Sequence, residues 1–242
     1  MGKQYWRGGN MLYPVPAVMV SCGRPEERPN IITVAWAGTV CSSPAMVSIS
    51  VRKERYSYDI LKETGEFVIN LITRDLTYAT DFCGVRSGRD VDKFAQMHLT
   101  PLPSQHISAP GIAESPVNLE CKVTQVIPLG SHDMFLAEVL GVTVDEKYMD
   151  ENGKFHLNDA GLVAYSHGEY FELGEKLGKF GYSVAKKQAA KTESVTKSAK
   201  PSGAGKKVVS AENRTASKTG AGNRRKSASK TGSAEKQKSR RK

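Results

Sequence analysis

A stretch without charged side chains runs from Asn30 to Val51 and dominates the hydrophobic pattern of the chain. Its recurring serines and threonines, with Pro44 in its middle, argue against a membrane-spanning helix of about 20 residues. The alternation of larger and smaller side chains instead predicts two β-strands around a turn. In the second strand, residues 46–51, an apolar face alternates with a hydroxylated one, which is typical of a half-buried antiparallel strand.

The first of these two strands has one face that carries only small side chains. Its members are Thr33, Ala35, Ala37 and Thr39. Small side chains leave free space above a sheet, so this face predicts a surface on which a flat ligand can lie.

Cationic residues follow the second strand directly. Arg52, Lys53 and Arg55 arrive together, and Ser57 is predicted to cap a short helix over residues 59–64 that stops at Gly65. Guanidinium groups beside the free N–H groups of a helix start favour a phosphate. A small-faced strand followed by such a turn indicates a mononucleotide site.

The order of several motifs resembles the flavin reductase-like, FMN-binding split-barrel family, and its flavoredoxin branch most closely. The resemblance covers residues 8–186, and it implies a mostly β fold: a Greek-key β-barrel with a few helices. The motifs are Asn30-Ile-Ile-Thr-Val-Ala-Trp36, Ser43-Pro44, Ser48-Ile-Ser-Val-Arg52, Tyr56-Ser57 and Gly65-Glu-Phe-Val-Ile-Asn70.

The resemblance also implies which residues hold FMN, and it implies a homodimer with FMN near the interface. The ring and ribityl region is assigned to Asn30, Trp36, Ala37, Gly38, Thr39 and Cys41. The ribityl chain and phosphate are assigned to Ser50, Val51, Arg52, Arg55 and Ser57. No side chain is assigned as a catalytic acid or base, because the flavin itself carries hydride or single electrons.

Three further residues match motifs that approach the flavin in this family. Lys93 precedes Phe94 after a charged, glycine-punctuated loop, and a cation there would favour the anionic reduced ring. His132 stands in a Gly-x-His segment before a strand, and Tyr165 is expected to reach the flavin of the other subunit. The alternatives are a solvated Lys93, a structural or solvated His132, and a Tyr165 that packs in the core.

The remaining pattern predicts the other elements of the barrel. Residues 14–22 and 67–72 are predicted strands, and Thr73 or Asp75 is predicted to cap a helix that runs to Cys83 and ends at Gly84. Residues 117–127 and 133–144 are predicted as two long strands of a hairpin, and Asn152-Gly153 as a tight turn.

Charge divides the chain into a predicted split-barrel domain, residues 1–185, and a predicted disordered basic tail, residues 186–242. The first part has 17 Lys and Arg against 22 Asp and Glu, a balance of −5, whereas the second has 18 against 3, a balance of +15. Because the tail has no aromatic residue and is dominated by Lys, Ser, Ala, Thr and Gly, it cannot bury enough apolar area to offset chain ordering. Such a tail would attract nucleic acid or other polyanions without sequence choice, or be a solvated appendage without a partner.

The spacing of the cysteines and histidines predicts that the protein has no metal site. The four cysteines show no C-x-x-C pair, and no histidine has a ligand pattern around it. Isolated cysteines and an N-terminus without an apolar signal region predict a cytoplasmic protein without a membrane anchor.

Three functions remain open from the sequence. The first is a flavin reductase that uses NAD(P)H to reduce FMN. Since no G-x-G-x-x-G follows a strand, a nicotinamide would have to stack directly on the flavin. The second is a flavoredoxin-like carrier that exchanges electrons with another redox protein, and the third is a nucleic-acid-associated protein that binds through its tail.

Overall fold

Antiparallel β-strands form most of the structure, a computed structural model that describes residues 1–185. The predicted disorder of residues 186–242 falls outside this range. The chain divides into two units, Met1–Tyr182 and Ser183–Lys242, and the first contains every strand described among residues 1–185. The strands are β1 (Val15–Pro16), β2 (Val18–Cys22), β3 (Asn30–Val34), β4 (Ala37–Ser42), β5 (Ala45–Arg52), β6 (Glu66–Leu71), β7 (Pro101–Leu102), β8 (Gly111–Ile112), β9 (Val117–Pro128), β10 (His132–Val144), β11 (Val163–Ser166) and β12 (Glu169–Glu172), as described within residues 1–185.

Seven of these strands make one sheet, in the order β3-β2-β6-β9-β10-β5-β4. The predicted hairpin of two long strands is confirmed by β9 and β10, which pair from Val117 with Val144 to Pro128 with Asp133. A three-stranded sheet, in the order β1-β11-β12, and the short pair β7 and β8 accompany it. The predicted strand over residues 14–22 is therefore divided, since β1 pairs with β11 and β2 pairs with β3 and β6.

The core of the barrel lies on the inner face of the seven-stranded sheet. Val47, Ile49 and Val51 of β5 are buried, while the serines between them are half-buried, which confirms the predicted apolar face. Phe67 of β6 and Phe135 of β10 are fully buried in the same cluster. Burial of such side chains contributes about 1.5–3 kcal/mol each, so this inner face stabilises the frame around the site.

The prediction of a single first strand in the charge-free stretch is wrong, because this segment forms two strands, β3 and β4. The chain bends at Ala35 and Trp36, between β3 and β4. β3 pairs with β2 at one end of the sheet and β4 pairs with β5 at the other. Alternation along the sequence defines faces only within a continuous strand, so the four small side chains do not form one row.

Helix α1 (Tyr56–Thr64) begins earlier than predicted, and Ser57 does not cap it. The N-cap is Arg55, which makes no capping side-chain bond, and Ser57 is buried within the first turn. Its hydroxyl accepts a hydrogen bond from Asn30, so tertiary packing takes the place of the cap. The predicted stop at Gly65 is confirmed: its φ of 63° is left-handed and its N–H donates to the Leu61 carbonyl at 3.0 Å.

Helix α2 (Thr77–Val85) follows a 3₁₀ turn, Arg74–Leu76, and does not end at Gly84. Gly84 lies within the helix because α2 packs closely on β3 there: a Cβ would come 3.2 Å from Cβ of Thr33. Thr73 occupies the N-cap position of the 3₁₀ turn without a capping side-chain bond, and Asp75 lies inside that turn. A third helix, α3 (Lys93–Gln96), begins at Asp92, whose carboxylate accepts the N–H of Ala95 at 3.1 Å.

Short 3₁₀ turns and exposed arms complete the described range. The 3₁₀ turns are Glu146–Tyr148, Leu157–Ala160 and Tyr182–Val184. The predicted Asn152-Gly153 turn is confirmed, with Gly153 at φ 75° and an isolated bridge between Met149 and Phe155. Residues 1–12 and 173–181 are exposed extensions that carry large apolar side chains: Tyr5, Trp6, Met11, Leu12, Leu173, Leu177 and Phe180.

The helices among residues 1–185 are all too short or too polar to span a bilayer.

Candidate functional site

A cleft opens where the seven-stranded sheet does not close on itself. Among residues 1–185, no β ladder joins β3 to β5. Beyond β3, Ser50 N–H of β5 donates to the carbonyl of Trp36 in the bend at 2.9 Å, one residue before the β4–β5 pairing begins. Unpaired strand edges carry N–H and C=O groups that need partners, so this gap is suited to a polar, planar ligand.

The first half of the cleft, which we call the strand cavity, has a volume of about 190 Å³. β3 and the bend after it form one wall, and the end of β5 forms the other. The lining residues are Ile32, Thr33, Val34, Ala35, Trp36, Ser50, Val51, Arg52, Arg55 and His132. The structure therefore brings six predicted site residues together here, namely Trp36, Ser50, Val51, Arg52, Arg55 and His132.

The second half, which we call the loop cavity, has a volume of about 160 Å³ and shares Ile32 and Arg55 with the strand cavity. The first turn of α1, the end of α2 and the loop after α2 surround it. Its other lining residues are Asn30, Glu54, Tyr56, Ser57, Cys83, Gly84, Arg86, Ser87, Gly88, Arg89 and Lys93. The shared walls make the two cavities neighbouring parts of one cleft.

The floor of the loop cavity is polar and closely packed. Asn30 Nδ2 donates to Ser57 Oγ at 2.8 Å, and the two residues are 4% and 1% exposed. Gly88 is held against them: a Cβ at this position would lie 2.1 Å from Oδ1 of Asn30 and 2.7 Å from the ring of Tyr56. Contacts below 3.0 Å do not occur for real Cβ atoms, so glycine alone allows the loop to approach this closely.

Lys93 is buried, and the alternative of a solvated side chain is wrong. Its Nζ donates to the Ile31 carbonyl at 2.6 Å and to the Cys83 carbonyl at 2.7 Å, and the residue is only 3% exposed. Burial disfavours the charged ammonium and lowers the pKa of Lys93 to about 8. The loop cavity is therefore lined by a cation that is fixed to β3 and α2 and loses its proton above about pH 8.

Arginines surround the mouth of the loop cavity. Arg89 Nη1 donates to the Glu54 carbonyl at 3.3 Å, and its guanidinium lies 5.4 Å from the centre of the Tyr56 ring. Arg28 Nη2 donates to the Gly88 carbonyl at 3.0 Å. The sequence shows a charged, glycine-punctuated loop before Lys93 but does not single out Arg86 or Arg89, because charge alone does not show which side chains face the cleft.

Two ion pairs constrain the turn between β5 and α1. Arg52 Nη1 lies 3.3 Å from Glu54 Oε1, so its charge is partly neutralised within the turn. Lys53 Nζ lies 3.4 Å from Oδ1 of Asp133 and is not among the residues that line either cavity. Lys53 is therefore engaged outside the cleft, while Arg52 and Arg55 line it.

A buried hydrogen bond connects α1 to β10 behind this turn. Tyr58 Oη donates to Asp133 Oδ2 at 2.5 Å, which raises the pKa of Tyr58 to about 12 and lowers the pKa of Asp133. The other oxygen of Asp133 has no hydrogen bond within residues 1–185 and faces Lys53. This bond fixes α1, and with it Ser57, relative to the strand that begins at His132.

The remaining predicted residues lie outside the two cavities. Ala37, Gly38, Thr39 and Cys41 are on β4, the exposed edge strand that continues from Trp36. Tyr165 packs within its own chain, with its ring 5.5 Å from that of Tyr170 and 6.2 Å from that of Tyr13. Tyr13 in turn lies 6.2 Å from Trp36, so this aromatic group borders the strand cavity. The contact of Tyr165 with a partner's flavin stays a prediction.

The part of the chain that the structure describes contains no group of three His, Cys, Asp or Glu side chains placed to hold a metal. Its four cysteines are free thiols, and burial raises the pKa of Cys22 and Cys83 to about 11. Neither of these two thiols is therefore ionised at neutral pH.

An interrupted β-barrel with a cleft at its opening defines a split barrel, and comparison with known proteins gives its family. The model of the flavin reductase like domain matches residues 10–174. The chain belongs to this family of flavin-binding proteins.

Individual relatives agree with this assignment. The flavoredoxin of Desulfovibrio vulgaris (Miyazaki F) is 33% identical, with a TM-score of 0.70 over 76% of this chain and 100% of that one. An FMN-binding protein from Thermus thermophilus, solved with 1-cyclohex-2-enone, shares the fold at 23% identity and a TM-score of 0.61, over 74% and 97% of the two chains. An uncharacterised protein from Archaeoglobus fulgidus is 31% identical over 66% of this chain and 88% of its own length.

Proposed function

We propose that this protein binds FMN in the barrel cleft and reduces it with NAD(P)H. The observation that carries the proposal is the adjacency of the two cavities: an opening between strand edges that suits a flat ring, and a cation-rich cavity at the start of a helix that suits a phosphate.

The residues of the cleft fit FMN in shape and charge. The backbone edges of β3 and β5, with Trp36 and His132, would hold the ring. The first turn of α1, Arg55 and Ser57 would hold the phosphate, because helix N–H groups and a guanidinium both favour an oxyanion. Bound FMN supplies the hydride and electron chemistry, and the protein supplies position and charge.

Access of the reductant is consistent with the position of the strand cavity. The cavity lies beside β4, which is an exposed edge strand with no further strand paired to it within residues 1–185. Since the sequence has no dinucleotide-binding motif after a strand, the nicotinamide would stack on the ring directly.

Anaerobic mixing tests the proposal. The purified protein, loaded with FMN, is mixed with NADH or NADPH, and the absorption band of oxidised flavin is followed. We expect bleaching with at least one nucleotide. Colourless protein that fails to bind added FMN would refute the flavin site itself.

A flavoredoxin-like electron carrier is the second candidate, and the 33% identity to flavoredoxin favours it. In that case FMN binds tightly but neither nucleotide bleaches it, and a redox-protein partner exchanges the electrons. The same mixing experiment, extended with dithionite as a control reductant, separates the two candidates.

A homodimer is part of the proposal. The arms at residues 1–12 and 173–181 expose large apolar side chains, which monomeric proteins rarely leave in contiguous contact with water. In this proposal a second copy covers these arms, and Tyr165 of one subunit reaches the flavin of the other, as the family resemblance implies. Light scattering with size-exclusion chromatography tests this, and a monomer at micromolar concentration would contradict it.

Polyanion binding by residues 186–242 stays a separate prediction.

A further inference from the structure

A buried carboxylate lies behind the turn that is proposed to hold the FMN phosphate. It belongs to Asp133, the second residue of β10, which is only 4% exposed. Its Oδ2 accepts the Tyr58 hydroxyl at 2.5 Å, and its Oδ1 lies 3.4 Å from Lys53 Nζ. Asp133 lines neither the strand cavity nor the loop cavity, so any effect on a bound ligand must pass through the residues that it holds.

The two groups that Asp133 holds stand on either side of residues 54–57, which we call the phosphate segment. Lys53 immediately precedes this segment, and Tyr58 immediately follows it. Every residue of the segment lines the loop cavity, namely Glu54, Arg55, Tyr56 and Ser57. One buried side chain thus anchors both ends of the segment that carries Arg55 and begins α1.

The frame behind Asp133 is well fixed. In the sheet, Asp133 lies opposite Val51 of β5 and opposite Pro128 of β9. On the helix side, the Tyr58 ring packs edge-to-face on the fully buried Phe135, with 5.8 Å between the ring centres. Two paired strands and the core therefore hold the carboxylate, and the carboxylate transmits that position to both ends of the phosphate segment.

Packing alone does not account for an ionised side chain at this place. Oδ1 of Asp133 is buried and makes no hydrogen bond within residues 1–185, and the cation it faces, Lys53, has a side chain that is 54% exposed. A buried carboxylate with an incomplete set of hydrogen bonds lowers stability compared with a neutral side chain of the same shape. Its charge becomes useful where it keeps Lys53 and Tyr58 at fixed positions beside the phosphate segment.

From this arrangement we propose that Asp133 is a positioning residue for the FMN phosphate: through Tyr58 and Lys53 it sets the geometry of the phosphate segment, and so makes the cleft prefer FMN over riboflavin. This inference rests on the proposed FMN site. Asp133 acts without touching the ligand, whereas Arg55 and Ser57 would contact the phosphate.

Two substitutions separate positioning from simple electrostatics. Asp133→Asn removes a negative charge behind the turn, so charge alone predicts tighter binding of an anionic phosphate. Tyr58→Phe leaves the charge unaltered, so charge alone predicts no change. If Asp133 positions the segment, both substitutions weaken FMN binding. The matched controls are Asp75→Asn and Tyr78→Phe, at exposed positions outside both cavities.

Fluorescence titration of each full-length variant with FMN and with riboflavin gives the two affinities. We expect Asp133→Asn and Tyr58→Phe each to weaken FMN about tenfold, the value of one charge-assisted hydrogen bond, and riboflavin less than about twofold. Because both substitutions act on one contact, the double variant should lose less FMN affinity than the product of the two single losses. Both controls should bind like wild type. If Asp133→Asn does not fold, Tyr58→Phe, which keeps the ring on Phe135, still decides the matter.

The proposal is overturned if Asp133→Asn binds FMN as tightly as wild type or more tightly, or if Tyr58→Phe binds FMN like wild type. It is also overturned if FMN and riboflavin weaken equally, because Asp133 then supports the fold as a whole, or if the losses multiply, because the two side chains then act independently. Failure of the proposed function looks different: wild type itself would then bind no FMN, whereas failure of this proposal leaves wild-type binding intact.

Discussion

The two cavities of the cleft are built in opposite ways. Backbone edges of two strands and a few side chains enclose the strand cavity, whereas loops that carry arginines, lysine and glycine enclose the loop cavity. The first is shaped by the sheet, which is stabilised by the core beneath it. The second is shaped by charge and by close packing of one loop on α1. Shape should therefore decide binding of the ring, and charge should decide binding of the phosphate.

Gly88→Ala should have the largest effect, since it separates the loop from the floor of the loop cavity. The new Cβ would lie 2.1 Å from Asn30, so the loop must move away. We expect FMN affinity to fall about 100-fold by fluorescence titration, equivalent to about 2.7 kcal/mol. Riboflavin should lose much less. Gly174→Ala, where a Cβ meets nothing within 4 Å, is the control and should bind like wild type. An unaltered FMN affinity in Gly88→Ala would mean that this loop does not shape the site.

Arg55→Ala tests the division between shape and charge directly. Arg55 lines both cavities and forms no ion pair within the described range. Its loss should lower the affinity for FMN about tenfold and the affinity for riboflavin less than about twofold. Arg52→Ala should lower the affinity for FMN by less than Arg55→Ala does, because Arg52 is paired with Glu54. Equal weakening of FMN and riboflavin in Arg55→Ala would show that the two cavities do not divide the ligand in this way.

The pH dependence of FMN binding tests the contribution of Lys93. The pKa of Lys93 is lowered to about 8, so its charge is present below that pH and is lost above it. FMN affinity should fall about threefold as pH rises through about 8, because the phosphate stays a dianion there. Lys93→Met should bind FMN more weakly at pH 7 and show a flat profile. Riboflavin, measured in parallel, should not follow this trend.

The same lowered pKa affects stability with a definite sign. Between about 8 and the ordinary lysine pKa of 10.5, the unfolded chain binds more protons than the folded one. Lys93 therefore makes the free energy of unfolding increase as pH rises through this window, so the folded protein becomes more stable. Comparison of urea unfolding of wild type and Lys93→Met at pH 7 and pH 10 measures it. A difference between the two proteins that does not change with pH would contradict the lowered pKa.

Truncation after residue 185 should have the smallest effect. Both cavities are formed by residues 30–132, so FMN affinity should remain within about twofold of the full chain. A large loss would show that residues beyond 185 belong to the flavin site, and the two-cavity description would then be incomplete.

Much of the frame can be predicted from the sequence because it depends on local alternation. The inner face of β5 and the β9–β10 hairpin follow from the period of two along each strand, and Gly65 follows from the left-handed conformation that ends α1. The order of motifs, through the family resemblance, locates the charge-free stretch and the basic turn at the cleft.

Other features depend on contacts between distant residues, which local patterns do not reveal. Alternation through Ala35 does not show that the chain leaves β2 there and joins β5. A serine near a helix start resembles a cap, but Ser57 binds Asn30, 27 residues earlier. The sequence does not decide whether Lys93 faces the flavin or solvent, whereas in the structure two backbone carbonyls hold it inside the protein.

The hydrogen bond from Ser50 N–H to the Trp36 carbonyl has a consequence for how this cleft can vary. It joins two main-chain atoms, one in β5 and one in the bend that leads into β4, so exchange of either side chain leaves this contact between the bend and β5 intact. Redesign of the ring pocket through positions 36 and 50 would therefore alter its lining while conserving its width. Proline at position 50, which lacks the N–H, would remove this hydrogen bond and detach the bend from β5.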